Sequence, residues 1–368
     1  MRTGAGAETA ATQRDALRNA GQDSILDALD SALGTVLGRV LDTAPGAASP
    51  QNTPDTTPNT PPPTPPNNAE RYDTAQLTRV VIAGNSVMAA LLTGADTAGL
   101  VTAPYRAPMG SELILNTGPL REAYPDADIC VLPPLAAFVG GDARAAALAC
   151  GLNQTGADDE MTLLIDLGTN AEILLRVGDT LHVTSAAAGP AFSGRGKRLL
   201  PSEVLTATAR ALHEGALHPD GLLDTAHPAV WVADSGVAVW RMSERVQLSQ
   251  LFFRELQLAI AAVRVAVDEL LAAARCLSPS KLRSTPTQVY VAGAFGAGVA
   301  QHIFTQLGLL PRDWEGSVHT VGNAALAGAE LVARGAVADI EGSLHYLDLA
   351  AEPDFGKKLL AATVLAPR

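Results

Sequence analysis

Hydrophobic residues recur at helical spacing in residues 23–42, and Asp23 or Ser24 is placed to cap the start of a helix there. The apolar positions that repeat every three or four residues are Ile25, Leu26, Leu29, Leu33, Val36, Leu37 and Val40. They predict an amphipathic helix within an N-terminal helical segment, residues 1–44. Because the stripe is apolar, we expect it to pack on another part of the protein.

A proline-rich stretch follows this segment. Residues 45–68 hold nine of the 24 prolines of the chain, among Thr, Asn and Ser residues. Proline lacks a backbone N–H donor, and a stretch of this composition cannot bury a core. We therefore predict an extended, solvent-exposed linker or loop.

Short apolar strands alternate with helices in the remainder of the chain. The strands are predicted at Leu77–Ala83, Ile129–Leu132, Met161–Asp166, Ile173–Val177, Leu181–Ser185 and Gln288–Ala292, and the helices at Asp142–Cys150, Ser249–Arg275, Ala297–Leu307 and Asn323–Ala333. This alternation predicts an α/β fold with mixed sheets and flanking helices. We expect a first, incomplete α/β subdomain in residues 69–160, a second in residues 161–335, and a C-terminal tail, residues 336–368, that packs on the core.

Composition narrows the class of protein. The 368 residues are 47% hydrophobic but only 4% aromatic, so Ala, Leu and Val must supply most of the core. Asp and Glu outnumber Lys and Arg 38 to 26, which gives a formal charge of −12. Because nucleic acids and anionic membranes are bound by clustered cations, neither is expected as a partner.

The cysteines and the N-terminus indicate a cytoplasmic protein. Cys130, Cys150 and Cys276 lie far apart and none belongs to a C-x-x-C pair, so we expect no iron–sulfur cluster in this chain. The first residues lack the apolar core of a signal peptide, and no run of about 18 apolar residues is long enough to span a membrane.

The strongest chemical motif is the turn that follows the strand ending at Asp166. Gly168 allows the backbone to approach a ligand closely, and Thr169 and Asn170 add hydrogen-bond donors. Asp166 would repel a bare phosphate, so its expected role is to orient Mg²⁺ through water or to position an attacking water. It is therefore the candidate catalytic and metal-binding residue, although an ordinary structural turn explains the motif equally well on its own.

Other glycine turns of the same kind follow predicted strands or precede predicted helices. Their candidate ligand-binding residues are Gly84, Asn85, Gly189, Gly293, Phe295, Gly296, Gly322 and Asn323. The spacing around Gly293 differs from G-x-G-x-x-G, which disfavours a dinucleotide fold. Packing of a helix on a strand explains each turn singly, whereas several together favour a phosphate site at helix N-termini.

An ordered set of motifs extends this interpretation. IAGNSVM, PDADICVLPPLAAFVGGD, LLIDLGTNAEI, AAAGPAFSG, RELQLAIAAVR, VYVAGAFG, LGLLP and VGNAALAGA follow one another over roughly residues 70–335. The set resembles the C-terminal ATPase domain of the reductive activators of corrinoid proteins, members of the acetate and sugar kinase/Hsp70/actin superfamily. The resemblance implies a ribonuclease H-like fold with two subdomains around a nucleotide cleft.

The same resemblance implies a function. In that family ATP hydrolysis drives the one-electron reduction of a Co(II) corrinoid to Co(I), with electrons from an N-terminal 2Fe–2S domain. By resemblance, the segment from Asp166 to Asn170 is the second phosphate motif, and Gly293, Phe295 and Gly296 form the adenosine motif. The implied cofactors are ATP and Mg²⁺. The implied partners are a corrinoid protein or methyltransferase and a separate electron donor, and a homodimer is compatible with the resemblance.

Four departures from the family pattern keep rival functions open. The chain has no ferredoxin-like cysteine set and no D-x-G-T-T hairpin before residue 70, Ile260 stands where the family usually has Lys, and Ser193 stands where an acid is common. A non-catalytic nucleotide-binding or scaffold protein that keeps the fold is therefore the main alternative. A small-metabolite kinase of the same superfamily is a weaker one.

Overall fold

A computed structural model describes residues 77–108, 113–114, 121–122, 124–157, 160–168, 170–188, 191–192, 199–277 and 285–366. The predictions for residues 1–44 and 45–68 lie outside the described residues, as do those for Thr169, Gly189 and Ser193. The strands are β1 Arg79–Ile82, β2 Leu113–Ile114, β3 Asp128–Val131, β4 Met161–Leu167, β5 Ala171–Val177, β6 Thr180–Ala186, β7 Val230–Val232, β8 Ala238–Arg241, β9 Gln247–Ser249, β10 Gln288–Ala292, β11 Val318–Gly322 and β12 Ser343–Tyr346. The α-helices are α1 Ser86–Thr93, α2 Gly141–Ala149, α3 Pro201–His213, α4 Gln250–Leu277, α5 Gln301–Gln306, α6 Ala324–Ala333 and α7 Phe355–Ala361.

The first sheet has the order β1-β3-β2, with β1 parallel to β3 and β2 antiparallel to it. Alternate residues of β3 point to opposite faces. Ile129 and Val131 pack with Ala89 of α1 on one face, and Cys130 packs with Ala145 of α2 on the other. Burial on both faces suits the β-branched residues of β3 and leaves the sheet between helical layers.

The second sheet has the order β11-β10-β4-β5-β6-β12. Strands β4, β5 and β6 form an antiparallel meander, while β10 joins β4 in parallel and β12 joins β6 in parallel. Leu163 and Leu175 face the large core under helix α4, and Leu164 and Leu174 face a smaller core under α2. The sheet is therefore covered on both faces, and the predicted mixed α/β fold is confirmed.

Helix α4 spans 28 residues and packs along β5 and β6. Its sequence is apolar around most of its circumference, which is typical of a helix inside a large core. Ile260, which stands where the resemblance leads one to expect a lysine, is fully buried in this core.

The two subdomains meet where α2 and α6 pack on each other. A Cβ atom at Gly328 of α6 would overlap the backbone of Ala145 in α2. Only glycine allows the two helix backbones to approach this closely.

Strands β7, β8, β9 and β12 are among the elements that were not anticipated from the sequence. Strands β7, β8 and β9 form a three-stranded antiparallel sheet, in which Trp240 is fully buried. Strand β12 extends the main sheet, and Leu347, Leu349 and Leu365 beyond it enter the large core. Within the described residues, none of the helices combines the length and the apolarity that crossing a membrane requires.

Candidate nucleotide and cation site

The carboxyl ends of three parallel strands bring the predicted turns together. Ala292 at the end of β10 pairs with Asp166 of β4 on one side and with Gly322 of β11 on the other. The Gly293 amide donates a hydrogen bond to the Gly322 carbonyl oxygen at 2.8 Å. Ligands of open α/β sheets bind at this end of the strands, so Asp166, Gly293 and Gly322 lie where a ligand is expected.

Gly293 allows the Asp166 carboxylate to lie against the turn. Its φ is +85°, and a Cβ atom there would be 2.5 Å from Asp166 Oδ1. Both the backbone conformation and the space therefore require glycine. Asp166 and Gly293 lie far apart in sequence but are in contact in the fold.

The other residues of the adenosine motif lie deeper in the protein. Phe295 is only 9% exposed, and its ring centroid lies 6.1 Å from that of Phe192. A Cβ atom at Gly296 would be 2.7 Å from Val291 Cγ1, so this glycine packs against β10. Contact of Phe295 and Gly296 with adenosine stays a prediction.

The turn between β4 and β5 is tight and faces solvent at Asn170. The Gly168 amide donates to the Asn170 carbonyl oxygen at 2.9 Å, and the Asn170 side chain is exposed. Thr169 at the centre of the turn lies outside the described residues. The arrangement leaves Asn170 free to meet a solvent-side ligand.

Two of the three predicted asparagines, Asn85 and Asn323, cap helices. Asn85 Oδ1 accepts from the Met88 amide, and Asn323 Oδ1 accepts from the Leu326 amide, each at 2.9 Å. The side-chain oxygen of each residue is therefore engaged, and its NH₂ group is the part that a ligand could use.

The Gly84 turn packs on the N-terminus of α2. The Gly84 carbonyl oxygen accepts from the amides of Gly141 at 2.9 Å and Asp142 at 3.2 Å. A Cβ atom at Gly140 would meet both Gly84 and Asn85. Asp142 lies in the first turn of α2, and its charge acts on both Asp166 and Glu172.

Three carboxylates share the site, and the sequence analysis identified only Asp166. Glu172 lies directly opposite Asp166 across strands β4 and β5, and Asp142 adds a third acidic group. The signal for Glu172 was present, because a turn centred on Thr169 pairs Leu167 with Ala171 and hence Asp166 with Glu172. Asp142 is brought near by the packing of the subdomains, which no local pattern encodes.

Burial and mutual repulsion raise the pKa values of these carboxyls. Burial, with a smaller effect of Asp142, raises the pKa of Asp166 to about 6. Burial, Asp142 and Asp166 together raise the pKa of Glu172 to about 8, against the lowering effect of a hydrogen bond from Ser185. Burial also raises the pKa of Asp142. Each shift shows that the ionised form lacks compensating positive charge.

Carboxylate oxygens of this kind suit a hard cation such as Mg²⁺, which keeps several waters and takes few protein ligands. Across the described part of the chain, no three His, Cys, Asp or Glu residues are grouped closely enough to hold a metal by themselves. The residues present therefore fit a cation that arrives with a ligand's phosphates better than a cation enclosed by protein.

Comparisons with known proteins agree with the fold. The family model "RACo middle region" matches residues 67–155, and "C-terminal domain of RACo the ASKHA domain" matches residues 160–199 and 201–368. A solved structure, "Reductive activator for corrinoid,iron-sulfur protein", superposes with a TM-score of 0.66 at 22% identity, over 81% of this chain and 54% of the other.

Two characterised proteins are related in sequence. "Corrinoid activation enzyme RamQ" of Eubacterium limosum is 28% identical over 310 residues, which are 70% of this chain and 50% of that protein. A reductase of a Co(II) methylated amine-specific corrinoid protein, from Methanosarcina barkeri, is 41% identical over 69 residues, 19% of this chain and 12% of that protein. The chain thus spans about half the length of RamQ.

Proposed function

The chain belongs to the RACo family of corrinoid activators, and we propose from this premise that it is the ATP-binding and ATPase part of a corrinoid-protein reductive activator. ATP hydrolysis would be coupled to the reduction of a Co(II) corrinoid to Co(I) by one electron. Because residues 1–368 hold no ferredoxin-like cysteine set, the electron comes in this proposal from a separate donor or from a part of the protein outside these residues. The observation that carries the proposal is the contact of Asp166 with Gly293 at the ends of parallel strands.

The phosphates are assigned to the turn from Gly168 to Asn170, with Thr169 at its centre. The adenosine is assigned to the turn of Gly293, Phe295 and Gly296. The turns at Gly84–Asn85 and Gly322–Asn323 carry helix N-termini, whose partial positive charge favours phosphate. Gly189 is assigned to the same site from its motif alone.

Asp166 is proposed to hold Mg²⁺ through oxygen or water, and Glu172 and Asp142 to add negative charge near it. When bound with ATP, Mg²⁺ neutralises phosphate charge that would otherwise repel these carboxylates. Asp166, whose pKa is about 6, is mostly ionised at neutral pH and can also orient an attacking water.

We also propose a corrinoid protein or methyltransferase as the partner, a cytoplasmic location and a homodimeric state compatible with the family. The described cysteines are free thiols: Cys130 is buried, Cys150 half-buried and Cys276 exposed. This distribution supports an electron donor that is separate from residues 77–366.

One observation favours a second function. Ile260 is fully buried, so the position where the resemblance expects a lysine offers packing rather than charge. A nucleotide-binding scaffold without turnover accommodates this loss of charge more easily than an ATPase does.

Two experiments test both functions. The first is calorimetric titration with ATP in the presence and absence of Mg²⁺, and the second is an assay of Co(II) reduction. The activator binds ATP more tightly with Mg²⁺ and, given a low-potential electron donor and a corrinoid protein, forms Co(I) only when ATP is hydrolysed. Binding without hydrolysis would favour the scaffold. Absence of binding in both conditions would contradict both functions.

A further inference from the structure

A row of polar side chains crosses three neighbouring strands of the main sheet. Asp166 of β4 pairs with Glu172 of β5, and Glu172 in turn pairs with Ser185 of β6. Residues that pair directly across antiparallel strands carry their side chains on the same face of the sheet, with Cβ atoms about 5 Å apart. The candidate cation site therefore continues by one strand beyond the two carboxyls, to the Ser185 hydroxyl.

This row is the place where one face of the sheet opens to solvent. Asp166, Glu172 and Ser185 are each half-buried, although both chain neighbours of each residue are buried. One step deeper on the same face the corresponding row is apolar and fully buried in the core under α2, and its members are Leu164, Leu174 and Val183. Ser185 therefore lies where the apolar core of this face ends and solvent reaches the site.

The two adjacent hydroxyls of β6 have different partners. Thr184 points to the opposite face of the sheet, is fully buried, and donates from Oγ1 to the Leu347 carbonyl oxygen at 2.8 Å. Ser185 is hydrogen-bonded to the Glu172 side chain. Because this bond favours the ionised carboxyl, the Ser185 hydroxyl is its donor. Thr184 thus fixes the backbone, whereas Ser185 acts on an acidic residue of the site.

Glu172 is held between two carboxyls and two donors. The charges of Asp142 and Asp166 act against its ionisation, and the Ser185 hydroxyl and its own backbone N–H favour it. Since β5 lies between β4 and β6, Ser185 approaches Glu172 from the side opposite to Asp166. A carboxyl oxygen engaged on the β6 side leaves the other oxygen for a group beside Asp166.

We propose that Ser185 is a positioning residue of the cation site, whose hydroxyl holds Glu172 in the orientation that leaves one carboxyl oxygen for the waters of a cation beside Asp166. This role rests on the proposed function, in which the cation arrives with the phosphates of the nucleotide. Residues that orient the groups around a metal commonly change metal affinity or activity by about 10–100-fold when they are removed. Ser185 therefore adds a third strand to the site.

Crystal structures test the orientation of Glu172 without a nucleotide. In the unmodified protein the Glu172 side chain should occupy a single conformer, and in Ser185→Ala it should spread over alternative conformers. Ser185→Thr keeps the hydroxyl and suits a β-strand, so it should restore the single conformer. The same single conformer in all three proteins would overturn the proposal.

Calorimetric titration with ATP tests the consequence for the cation. We expect Ser185→Ala to weaken the Mg²⁺-dependent part of the affinity about tenfold and to leave the affinity without Mg²⁺ unchanged. Ser185→Thr should recover the loss. Weaker binding in both conditions, or no recovery in Ser185→Thr, would overturn the positioning role. If the unmodified protein binds no ATP, the proposed function fails, and the conformers of Glu172 alone decide the role of Ser185.

Thr180→Val is the matched control. Thr180 begins the same strand, β6, and donates from Oγ1 to the Asp179 carboxylate at 3.3 Å. The substitution therefore removes a hydroxyl that donates to a carboxylate from β6, while it keeps the volume of the side chain. It should leave the Glu172 conformer and the Mg²⁺-dependent affinity unchanged. Effects equal to those of Ser185→Ala would show that strand β6, rather than the Ser185 hydroxyl, is responsible, and the proposal would fall.

Discussion

Asp166 of β4 and Glu172 of β5 are paired directly across the two antiparallel strands. The Asp166 carboxylate raises the pKa of Glu172, and Asp142 raises the pKa of both, in addition to the larger effect of burial. The pair therefore ionises in order, with Asp166 losing its proton near pH 6 and Glu172 near pH 8.

We expect the free energy of unfolding to fall as the pH rises from 6 to 8. The pKa of Glu172 is about 8 in the folded protein and near 4.5 ordinarily, so the folded state holds more protons in this window. The contribution of Glu172 to the free energy of unfolding is therefore greatest at low pH, and it is lost as the pH rises through the pKa of Glu172 in the folded protein. Glu172→Gln should flatten the dependence and add about 1–2 kcal/mol at pH 8. Urea unfolding at pH 6 and pH 8 measures this difference.

Glu244→Gln is the matched control, because Glu244 is exposed. It should retain the pH dependence of the unmodified protein. An unchanged slope between pH 6 and pH 8 in Glu172→Gln would contradict the raised pKa.

Replacing Gly293 with alanine should destabilise the protein more than replacing Gly298. Both glycines have positive φ, +85° and +77°, so alanine is strained at either position. Only at Gly293 does the new Cβ also meet the end of β4, where the Leu167 carbonyl oxygen and the Asp166 carboxylate lie, whereas at Gly298 nothing lies within 4 Å. We expect Gly293→Ala to cost about 1–3 kcal/mol more than Gly298→Ala. Thermal unfolding of both variants gives the comparison, and equal losses would contradict the close approach of the end of β4 to this turn.

Gly328→Ala should weaken the packing between α2 and α6. Its Cβ would overlap the Ala145 backbone, so the two helices must move apart. Alanine is otherwise the better helix former by about 1 kcal/mol, as Gly356→Ala in α7 should show, because that position has open space. We expect urea unfolding to give a lower free energy of unfolding for Gly328→Ala and a higher one for Gly356→Ala than for the unmodified protein. Stabilisation by both would contradict the close helix contact.

The sequence predicted the strands and helices in which apolar residues form a continuous run or recur at regular spacing. Met161–Leu167 and Gln288–Ala292 follow buried apolar runs, and their glycine turns place Asp166 and Gly293 at strand ends. What it missed depends on distant packing or weak local signals. The strands around Trp240 are short apolar runs, residues 230–232 and 238–240, on either side of a turn at Gly236, and this hairpin signal was overlooked. Asp142 joins the acidic site only because the Gly84 turn holds the start of α2. Glu172 could have been found from the symmetry of its hairpin.

The Asp166→Asn substitution tests the proposed cation site. If the chain binds ATP with Mg²⁺, the substitution should weaken the Mg²⁺-dependent part of binding and abolish hydrolysis. A carboxylate fixes the cation and its waters through charge, whereas an amide supplies only a dipole. Losing a preorganised group of this kind commonly costs a few kcal/mol in the transition state. The fold should survive, and relief of repulsion with Glu172 should leave its melting temperature equal or higher.

Asp234→Asn is the control for this substitution, because Asp234 is exposed in the loop between β7 and β8. It should bind ATP with unchanged affinity, with and without Mg²⁺. The scaffold alternative predicts that Asp166→Asn behaves in the same way, since no cation would then depend on the carboxylate. Calorimetric titration of both variants in the two conditions separates the outcomes. Equal Mg²⁺-dependent affinities in Asp166→Asn and the unmodified protein would mean that Asp166 is only a turn residue, and that the raised pKa reflects burial alone.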